Sequence, residues 1–195
     1  MSNLEKLLDA IDQVNSQDPN QETYKDQSFP KELLYSQRMS QHLNAFAPEA
    51  SEELQIAARA QHIKRWSIPR SDYPMDRPGY KKWRTELGKF HADTTTSLMA
   101  DAGYSEEQQE RVATLLQKKF LKRDEEVQCL EDVICLVFLE FYLEAFVAKH
   151  SSDEDKLIGI IQKTWRKMSE KGHEAALKLP LSDAMGALVG KALNG

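Results

Sequence analysis

One stretch decides the fold of this chain, Asp124–Lys149, which reads DEEVQCLEDVICLVFLEFYLEAFVAK. It contains neither proline nor glycine, so it predicts a continuous helix of about 25 residues, roughly 38 Å long. The second half is apolar almost all round the helix axis, a pattern typical of a helix that its neighbours bury on most sides. We therefore expect this helix to form the centre of the fold.

Polar side chains precede the apolar run and form the first candidate site. Gln128 and Asp132 are four residues apart and share one face of the predicted helix. Buried polar groups need partners, so these two residues and Glu131 require an explanation. An ionised carboxylate at Asp132 needs a cation or several donors. We predict that Asp132 and Gln128 face a pocket into which Arg65 or Arg84 reaches from another helix.

The rest of the chain shows helical periodicity and no sustained strand alternation. We predict an all-α protein, a single globular domain of about seven or eight helices around the central one. It divides into an N-terminal helix and linker (1–20), a helical core (21–150) and C-terminal helices packed on that core (151–195). The first predicted helix starts at Asn3, the second runs from Pro30 to before Pro48, the third from Ser51 to about Trp66, and the fourth from Tyr80 to Ala102 with Gly103 as cap. The fifth opens with a capping box of Ser105 and Gln108 and carries Phe120 toward the core. After the central helix, one helix follows the pair Ser152 and Asp155, and a last one starts near Ser182.

Composition and charge exclude several classes of protein. A net charge of −5 over 195 residues argues against nucleic-acid binding by bulk electrostatics. The apolar run is too short to cross a membrane and is interrupted by Glu140 and Glu144. Cys129 and Cys135 lie too far apart along one helix for a disulfide, and no signal peptide is visible. We expect a cytoplasmic protein with a reduced pair of cysteines.

Basic and aromatic residues recur with histidines in the middle of the chain. His62, Arg65 and Trp66 would share one face of a helix, where an isolated histidine is usually a hydrogen-bonded helix residue. Arg84 and His91 would do the same on the next long helix, and Trp83 precedes Arg84.

Two further segments carry charge. The proline-rich loop from Ser67 to Gly79 holds Arg70, Tyr73 and Arg77, and we expect an ordered binding loop. Lys118-Lys-Phe-Leu-Lys-Arg123 is a basic run just before the central helix, and such runs are usually solvated helix ends.

The order of these groups resembles the HD-domain superfamily of metal-dependent phosphohydrolases. The resemblance covers Pro30 to Ala148 and rests on Ala57-Ala-Arg-Ala-Gln-His62, on His91 and on Leu130-Glu-Asp132. It implies that His62, His91 and Asp132 hold a divalent metal such as Mn, Fe or Zn. Tyr35 and Ile63 stand where that superfamily has two further ligands.

A closer resemblance is to a bacterial and fungal family catalogued only as a domain of unknown function. It is carried by His62-x-x-Arg-Trp-x-Ile-Pro-Arg70, Tyr80-x-x-Trp-Arg84, His91-Ala and Gln128-x-x-Glu-Asp132. This family brings no activity with it.

Three hypotheses follow from these residues. The first is a metal-dependent phosphohydrolase acting on a small phosphorylated or nucleotide-like substrate. The second is a degenerate HD-like module that binds an anionic ligand without turning it over. The third is a structural protein with an apolar patch around Leu179, Leu181, Met185 and Leu188.

The first hypothesis assigns a role to each candidate residue. Arg65, Arg70 and Arg84 bind the phosphate, and Trp66 and Trp83 stack on a base. Gln128 contacts the substrate, Lys118 or Lys119 neutralises the charge that develops in the reaction, and Glu131 is the general base.

Overall fold

The computed structural model describes residues 1–194, and it confirms the all-α class. Ten α-helices are present in this part of the chain. The chain divides into two compact units, the first comprising residues 1–127 and the second starting at Gln128. The domain boundaries at residues 20 and 150 stay a prediction.

The first unit contains five complete helices and a hairpin. The elements are α1 Asn3–Asn15, β1 Gln21–Tyr24, β2 Gln27–Pro30, α2 Lys31–Phe46, α3 Glu52–Arg59, α4 Arg77–Asp101 and α5 Glu106–Leu116. Helix α4 packs on α5, α3 packs on α2 and α5, and α1 packs on α2, α3 and α4. Apolar side chains at helical spacing drive this packing, because their burial contributes about 25 cal/mol per Å² removed from water.

The hairpin was not predicted. Strands β1 and β2 pair antiparallel with Tyr24 opposite Gln27. The two residues between them, Lys25 and Asp26, have φ of 48° and 61°, as a two-residue hairpin turn of the type I′ requires. The chain has no Asn-Gly or Asp-Gly at this turn, and the strands are only four residues long, so the periodicity signal was weak.

Helix α3 is much shorter than predicted, and this changes how His62 is presented. It ends at Arg59, seven residues before Trp66, and the chain continues through turns to a 3₁₀ turn at Arg65–Ser67. Lys64 adopts a left-handed backbone with φ of 52°, which interrupts any helix at that point. Buried Asn15 of α1 accepts a hydrogen bond from the Lys64 backbone N–H at 3.0 Å. His62, Arg65 and Trp66 therefore do not share a helix face.

The end of α4 follows its predicted cap. Gly103 has φ of 81°, and the Tyr104 N–H donates to the Met99 carbonyl while the Gly103 N–H donates to the Ala100 carbonyl, both at 3.0 Å. These two bonds are the Schellman arrangement. The capping box of Ser105 and Gln108 is also confirmed. Phe120 was expected in the core, but α5 stops at Leu116 and the Phe120 residue is 62% exposed.

The central helix begins within the first unit and is anchored there by charge. Asp124 Oδ1 accepts hydrogen bonds from the backbone N–H groups of Glu126 and Val127 at 3.0 and 3.1 Å. Arg111 of α5 pairs with Asp124 and with Glu126, each at 2.5 Å. The Arg111 guanidinium lowers the pKa of Asp124 to about 2. Asp124 is therefore the residue that caps the start of this helix.

The predicted long helix is present, but a π-helical turn interrupts it and its end is less buried than expected. It runs as α6 Glu125–Val137, a π-helical turn Phe138–Tyr142 and α7 Leu143–Lys149. Burial is densest in α6, whereas most of α7 is half-exposed or exposed. The expected burial of the apolar run from Val133 is therefore confirmed for residues 133–137 and wrong for most of α7.

The second unit continues with three more helices, α8 Glu154–Lys167, α9 Glu170–Ala176 and α10 Asp183–Asn194, of which α8 and α10 pack together. Asp153, rather than the predicted Ser152, caps α8 by accepting a hydrogen bond from the Lys156 N–H.

The sequence predictions on the cysteines and on membrane spans can be compared with the structure. Cys129 and Cys135 are not joined by a disulfide, as predicted. No helix in the described part of the chain is long and apolar enough to span a membrane.

Candidate functional site

A cavity of about 300 Å³ opens in the first unit, beside helix α4 and the segment after α5. Helix α4 contributes one wall because Arg84, Gly88 and His91 recur at helical spacing along one side. The end of α5 and the turn after α3 supply the rest. The lining residues are Gln61, Arg84, Thr85, Leu87, Gly88, His91, Leu116, Gln117, Lys118 and Lys119.

The lining of this cavity is strongly cationic. Arg84, Lys118 and Lys119 bring three formal positive charges, and none of the described lining residues is acidic. Arg84 makes neither a hydrogen bond nor an ion pair with any residue that the structure describes. In a chain of net charge −5, this local group of like charges favours the approach of an anion.

Two residues that line the cavity each carry a buried polar atom without a hydrogen-bond partner among residues 1–194. These atoms are Nε2 of His91 and the side-chain oxygen of Gln61, and each residue is only 4% exposed. A buried polar atom without a partner costs about 1–3 kcal/mol, and in native proteins it usually has a specific reason, such as a ligand or bound water.

His62 lies behind this cavity in a continuous chain of polar contacts. Its Nδ1 is 3.0 Å from the Glu32 carboxylate, and its Nε2 is 2.8 Å from Nη1 of Arg65. Arg65 can only donate and Glu32 accepts, so the partners assign a neutral imidazole with the proton on Nδ1. Tyr35 stacks on the His62 ring with centroids 3.7 Å apart, and the His91 ring lies 6.3 Å away.

The pKa values of both histidines are held well below their ordinary value of 6.5. For His62 and for His91 burial is the largest cause, because desolvation penalises the charged imidazolium. Nearby positive charge from Arg65 and Arg84 acts in the same direction on both rings. Burial also raises the pKa of Glu32. Both imidazoles are therefore neutral at pH 7.

The backbone at the cavity rim adopts conformations that side chains rarely tolerate. Lys118, Phe120 and Lys122 all have positive φ, at 53°, 63° and 74°. Left-handed backbone costs roughly 1–2 kcal/mol at each such residue. This geometry ends α5 abruptly and brings Lys118 and Lys119 to the cavity, so the basic run is more than a solvated helix end.

The geometry does not support the predicted metal site. Among the described residues, no group of three or more His, Cys, Asp or Glu side chains is arranged to hold a metal ion. Both ring nitrogens of His62 are already engaged by Glu32 and Arg65, which leaves no lone pair for a metal. Tyr35, at the position where the HD-domain superfamily has a ligand, stacks on His62 instead.

Asp132 is buried in the second unit, with its hydrogen bonds supplied by neutral donors. Its carboxylate accepts from the Ser169 backbone N–H at 2.8 Å, from the Ser169 hydroxyl at 2.6 Å and from the Gln128 amide at 3.1 Å. Ser169 is the cap of α9, so Asp132 ties α6 to the start of α9. These bonds favour a structural role, where the sequence predicted an arginine or a metal-bound histidine.

The other predicted site residues fall into structural and peripheral positions. Trp83 is 6% exposed and donates its indole N–H to the Ile68 carbonyl at 2.9 Å, so no free ring remains to stack on a base. Glu131, predicted as general base, is buried with Oε1 3.7 Å from the ammonium of Lys167. Gln128 donates to the Lys167 carbonyl as well as to Asp132.

Arg70 and Trp66 belong to the ordered loop between α3 and α4. Arg70 donates to the backbone carbonyls of Tyr73 and Asp76 at 3.1 and 3.4 Å, so the loop is ordered as expected, and Arg70 organises it. Trp66 is half-buried and does not line the 300 Å³ cavity.

A second cavity of about 660 Å³ is formed by the same loop and the start of α4. Its charged lining residues are mainly acidic, with Asp72, Asp76 and Glu86 against Lys82. Tyr73 donates its hydroxyl to Glu86 across this cavity. The charge of the lining therefore distinguishes the two cavities, and only the first suits an anion.

Two residues of the site were missed from the sequence. Glu32 lies thirty positions before its partner His62, and no local spacing connects them. Gln61 was visible beside His62, but a single glutamine carries no chemical signal until its oxygen is found buried without a partner.

An all-α protein with a cationic cavity in its first unit is the class that this fold and site define. The chain belongs to the family described as Domain of unknown function (DUF4202), whose family model matches residues 5–189. No curated protein and no solved structure matches the chain. Membership of an uncharacterised family is thus confirmed, while the resemblance to the HD-domain superfamily stays a prediction.

Proposed function

We propose that the first unit binds a small phosphorylated ligand in the cavity lined by Arg84, Lys118 and Lys119. The observation that carries the proposal is a cavity with three cationic side chains and, among the described lining residues, no acidic one. Guanidinium and ammonium groups are the donors that phosphate prefers, and charge-assisted bonds are about twice as strong as neutral ones.

The polar network behind the cavity supports this proposal by holding the charges in place. Arg65 is held by Nε2 of His62 at 2.8 Å and lies over the ring of Trp83 at 5.1 Å. Its charge stays close enough to act on the titration of His62 and His91. Arg65 therefore adds to the positive potential of the site without contacting the ligand itself.

The experiment compares two arginines of the same helix. Arg84→Gln removes a cation from the cavity, whereas Arg77→Gln removes an exposed cation that does not line it. With inorganic phosphate and pyrophosphate as probes, calorimetry should show binding that Arg84→Gln weakens about ten- to hundredfold, the equivalent of about 1.5–3 kcal/mol for a charged hydrogen bond. Arg77→Gln should bind as the parent does. Equal losses in both variants, or no binding to the parent, would contradict the proposal.

Hydrolysis of the bound phosphate ester is the second candidate function, and His91 is the observation that favours it. Its Nε2 has no partner among the described residues, and its pKa lies well below 6.5, so the neutral ring can accept a proton at pH 7. In this candidate function His91 accepts the proton of the attacking water. Phosphate release from p-nitrophenyl phosphate, measured for the parent protein and for the His91→Gln variant, separates an enzyme from a binding module.

We propose a cytoplasmic location, in keeping with two cysteines that form no disulfide.

A further inference from the structure

The cavity has features that select among phosphorylated ligands, beyond its positive charge. Its volume of about 300 Å³ lies at the lower end of the range for small-molecule sites. A compact ligand fits such a space better than a nucleotide does.

The described lining of the cavity contains no Phe, Tyr or Trp, and its apolar surface comes from Leu87 and Leu116. The nearby rings are already committed, because Tyr35 stacks on His62 and Trp83 is buried with its N–H bonded to Ile68. Proteins bind nucleobases largely by stacking them on aromatic side chains. Aliphatic walls therefore favour a ligand without a base.

The unpartnered atoms of two lining residues, Gln61 and His91, indicate which chemical groups the rest of the ligand carries. The side-chain oxygen of Gln61 accepts and needs a donor, which a fully ionised phosphate or carboxylate group does not have. A hydroxyl group both donates and accepts, so it can satisfy Gln61 and also Nε2 of His91 in either tautomer. The lining thus combines cations for a phosphate with neutral groups for hydroxyls.

We propose that the cavity selects a small hydroxylated aliphatic phosphate, of the sugar-phosphate or polyol-phosphate class, through Gln61 and His91. This inference rests on the proposed phosphate binding and adds the chemistry of the remainder of the ligand. A site built to hydrogen-bond a hydroxyl group rejects the analogue that lacks it, because the buried partner is then left unpaired.

A matched ligand pair tests the inference. Glycerol 3-phosphate and n-propyl phosphate share a three-carbon chain and a phosphate and differ in two hydroxyl groups. Glycerol 3-phosphate should bind the parent protein about tenfold or more tightly than n-propyl phosphate, because leaving a buried acceptor unpaired costs about 1–3 kcal/mol. Ribose 5-phosphate should bind more tightly than AMP, which adds a base that finds no ring to stack on.

The variant Gln61→Met assigns the discrimination to a residue. It keeps a similar side-chain volume and removes the amide, so the ratio of the affinities for glycerol 3-phosphate and n-propyl phosphate should shrink toward one, whatever the variant does to the affinity for inorganic phosphate. If Gln61→Met does not fold, the two ligand comparisons on the parent protein still decide the question.

The outcomes separate the two proposals. Equal affinities for glycerol 3-phosphate and n-propyl phosphate, or tighter binding of AMP than of ribose 5-phosphate, would overturn the ligand class and leave phosphate binding intact. Absence of binding by all of these compounds and by inorganic phosphate would overturn the proposed function itself.

Discussion

A single carboxylate, Asp132, shows how far the role of a residue depends on its partners. Its position before the apolar run made it the sharpest candidate for a metal or anion site. The structure gives it three neutral donors, two from Ser169 and one from Gln128. Gly172 stands so close that a Cβ atom there would approach the Asp132 carboxylate to 2.6 Å. The residue is packed as part of a helix junction.

Asp132→Asn should therefore destabilise the protein by about 1–3 kcal/mol, because hydrogen bonds to a charged acceptor become weaker neutral ones. Phosphate binding in the first unit should not change. Urea denaturation measures the first effect, and calorimetry with inorganic phosphate measures the second. Asp132→Ala should cost more, since it leaves the buried donors without an acceptor. Loss of phosphate binding with parental stability would return Asp132 to the functional site.

At the scale of elements, two glycines at helix α4 illustrate opposite constraints. Gly88 lies inside the helix, where an added Cβ would meet the Leu116 carbonyl oxygen at 3.6 Å, an ordinary contact. Gly103 follows the helix with φ of 81°, and nothing lies within 4 Å of its Cβ position. Space alone would permit alanine at both positions, so the backbone conformation decides the difference.

Gly88→Ala should stabilise the protein by about 0.5–1 kcal/mol, because alanine loses less conformational freedom than glycine in a helix. Gly103→Ala should destabilise it by roughly 1–2 kcal/mol through left-handed backbone strain. Thermal and urea unfolding of the two variants side by side provides the comparison. A change of the same sign in both would show that the cap geometry at Gly103 is not what holds the end of α4.

At the scale of the whole molecule, buried titratable groups set the response of stability to pH. The pKa values of His62 and His91 lie well below 6.5 in the folded chain. Below pH 6.5 the unfolded chain therefore takes up two protons that the folded chain does not yet bind, and acid favours unfolding. Glu32, whose pKa is raised above 4.5, acts in the opposite direction. Arg65 and Arg84 act on both rings, Glu32, Lys118 and Lys31 act on His62, and His62 acts on His91.

We expect the free energy of unfolding to fall between pH 7 and about pH 5, because two histidines outweigh one carboxyl group. Each uncompensated proton contributes a slope of about 1.4 kcal/mol per pH unit. His91→Gln should reduce that slope by close to one proton, whatever its effect on stability at pH 7. Urea titrations at several pH values measure the slope. A flat profile from pH 7 to pH 5 in the parent would contradict the burial of neutral histidines.

Helix class, most helix positions and two caps were predictable from the sequence, for a local physical reason. Apolar spacing, the Ser105 capping box and the glycine at Gly103 act within a few residues of where they stand. The short hairpin and the early end of α3 were not predictable. They depend on left-handed backbone at ordinary residues, Lys25 in the hairpin and Lys64 after α3. At Lys64 a hydrogen bond to Asn15, 49 residues earlier in the chain, accompanies that backbone conformation.

The candidate site also has a part that the sequence predicts and a part that only the tertiary structure shows. The sequence by itself singled out Arg84, His91 and the Lys118–Lys119 pair, because charged residues and histidines are visible as residue types. Only the tertiary structure separated them from Asp132 and Glu131, which lie in a hydrogen-bonded helix junction, and added Gln61 from another part of the chain. The physical reason is that charge is a property of one residue. Desolvation, pairing and the absence of a partner are properties of the packed surroundings.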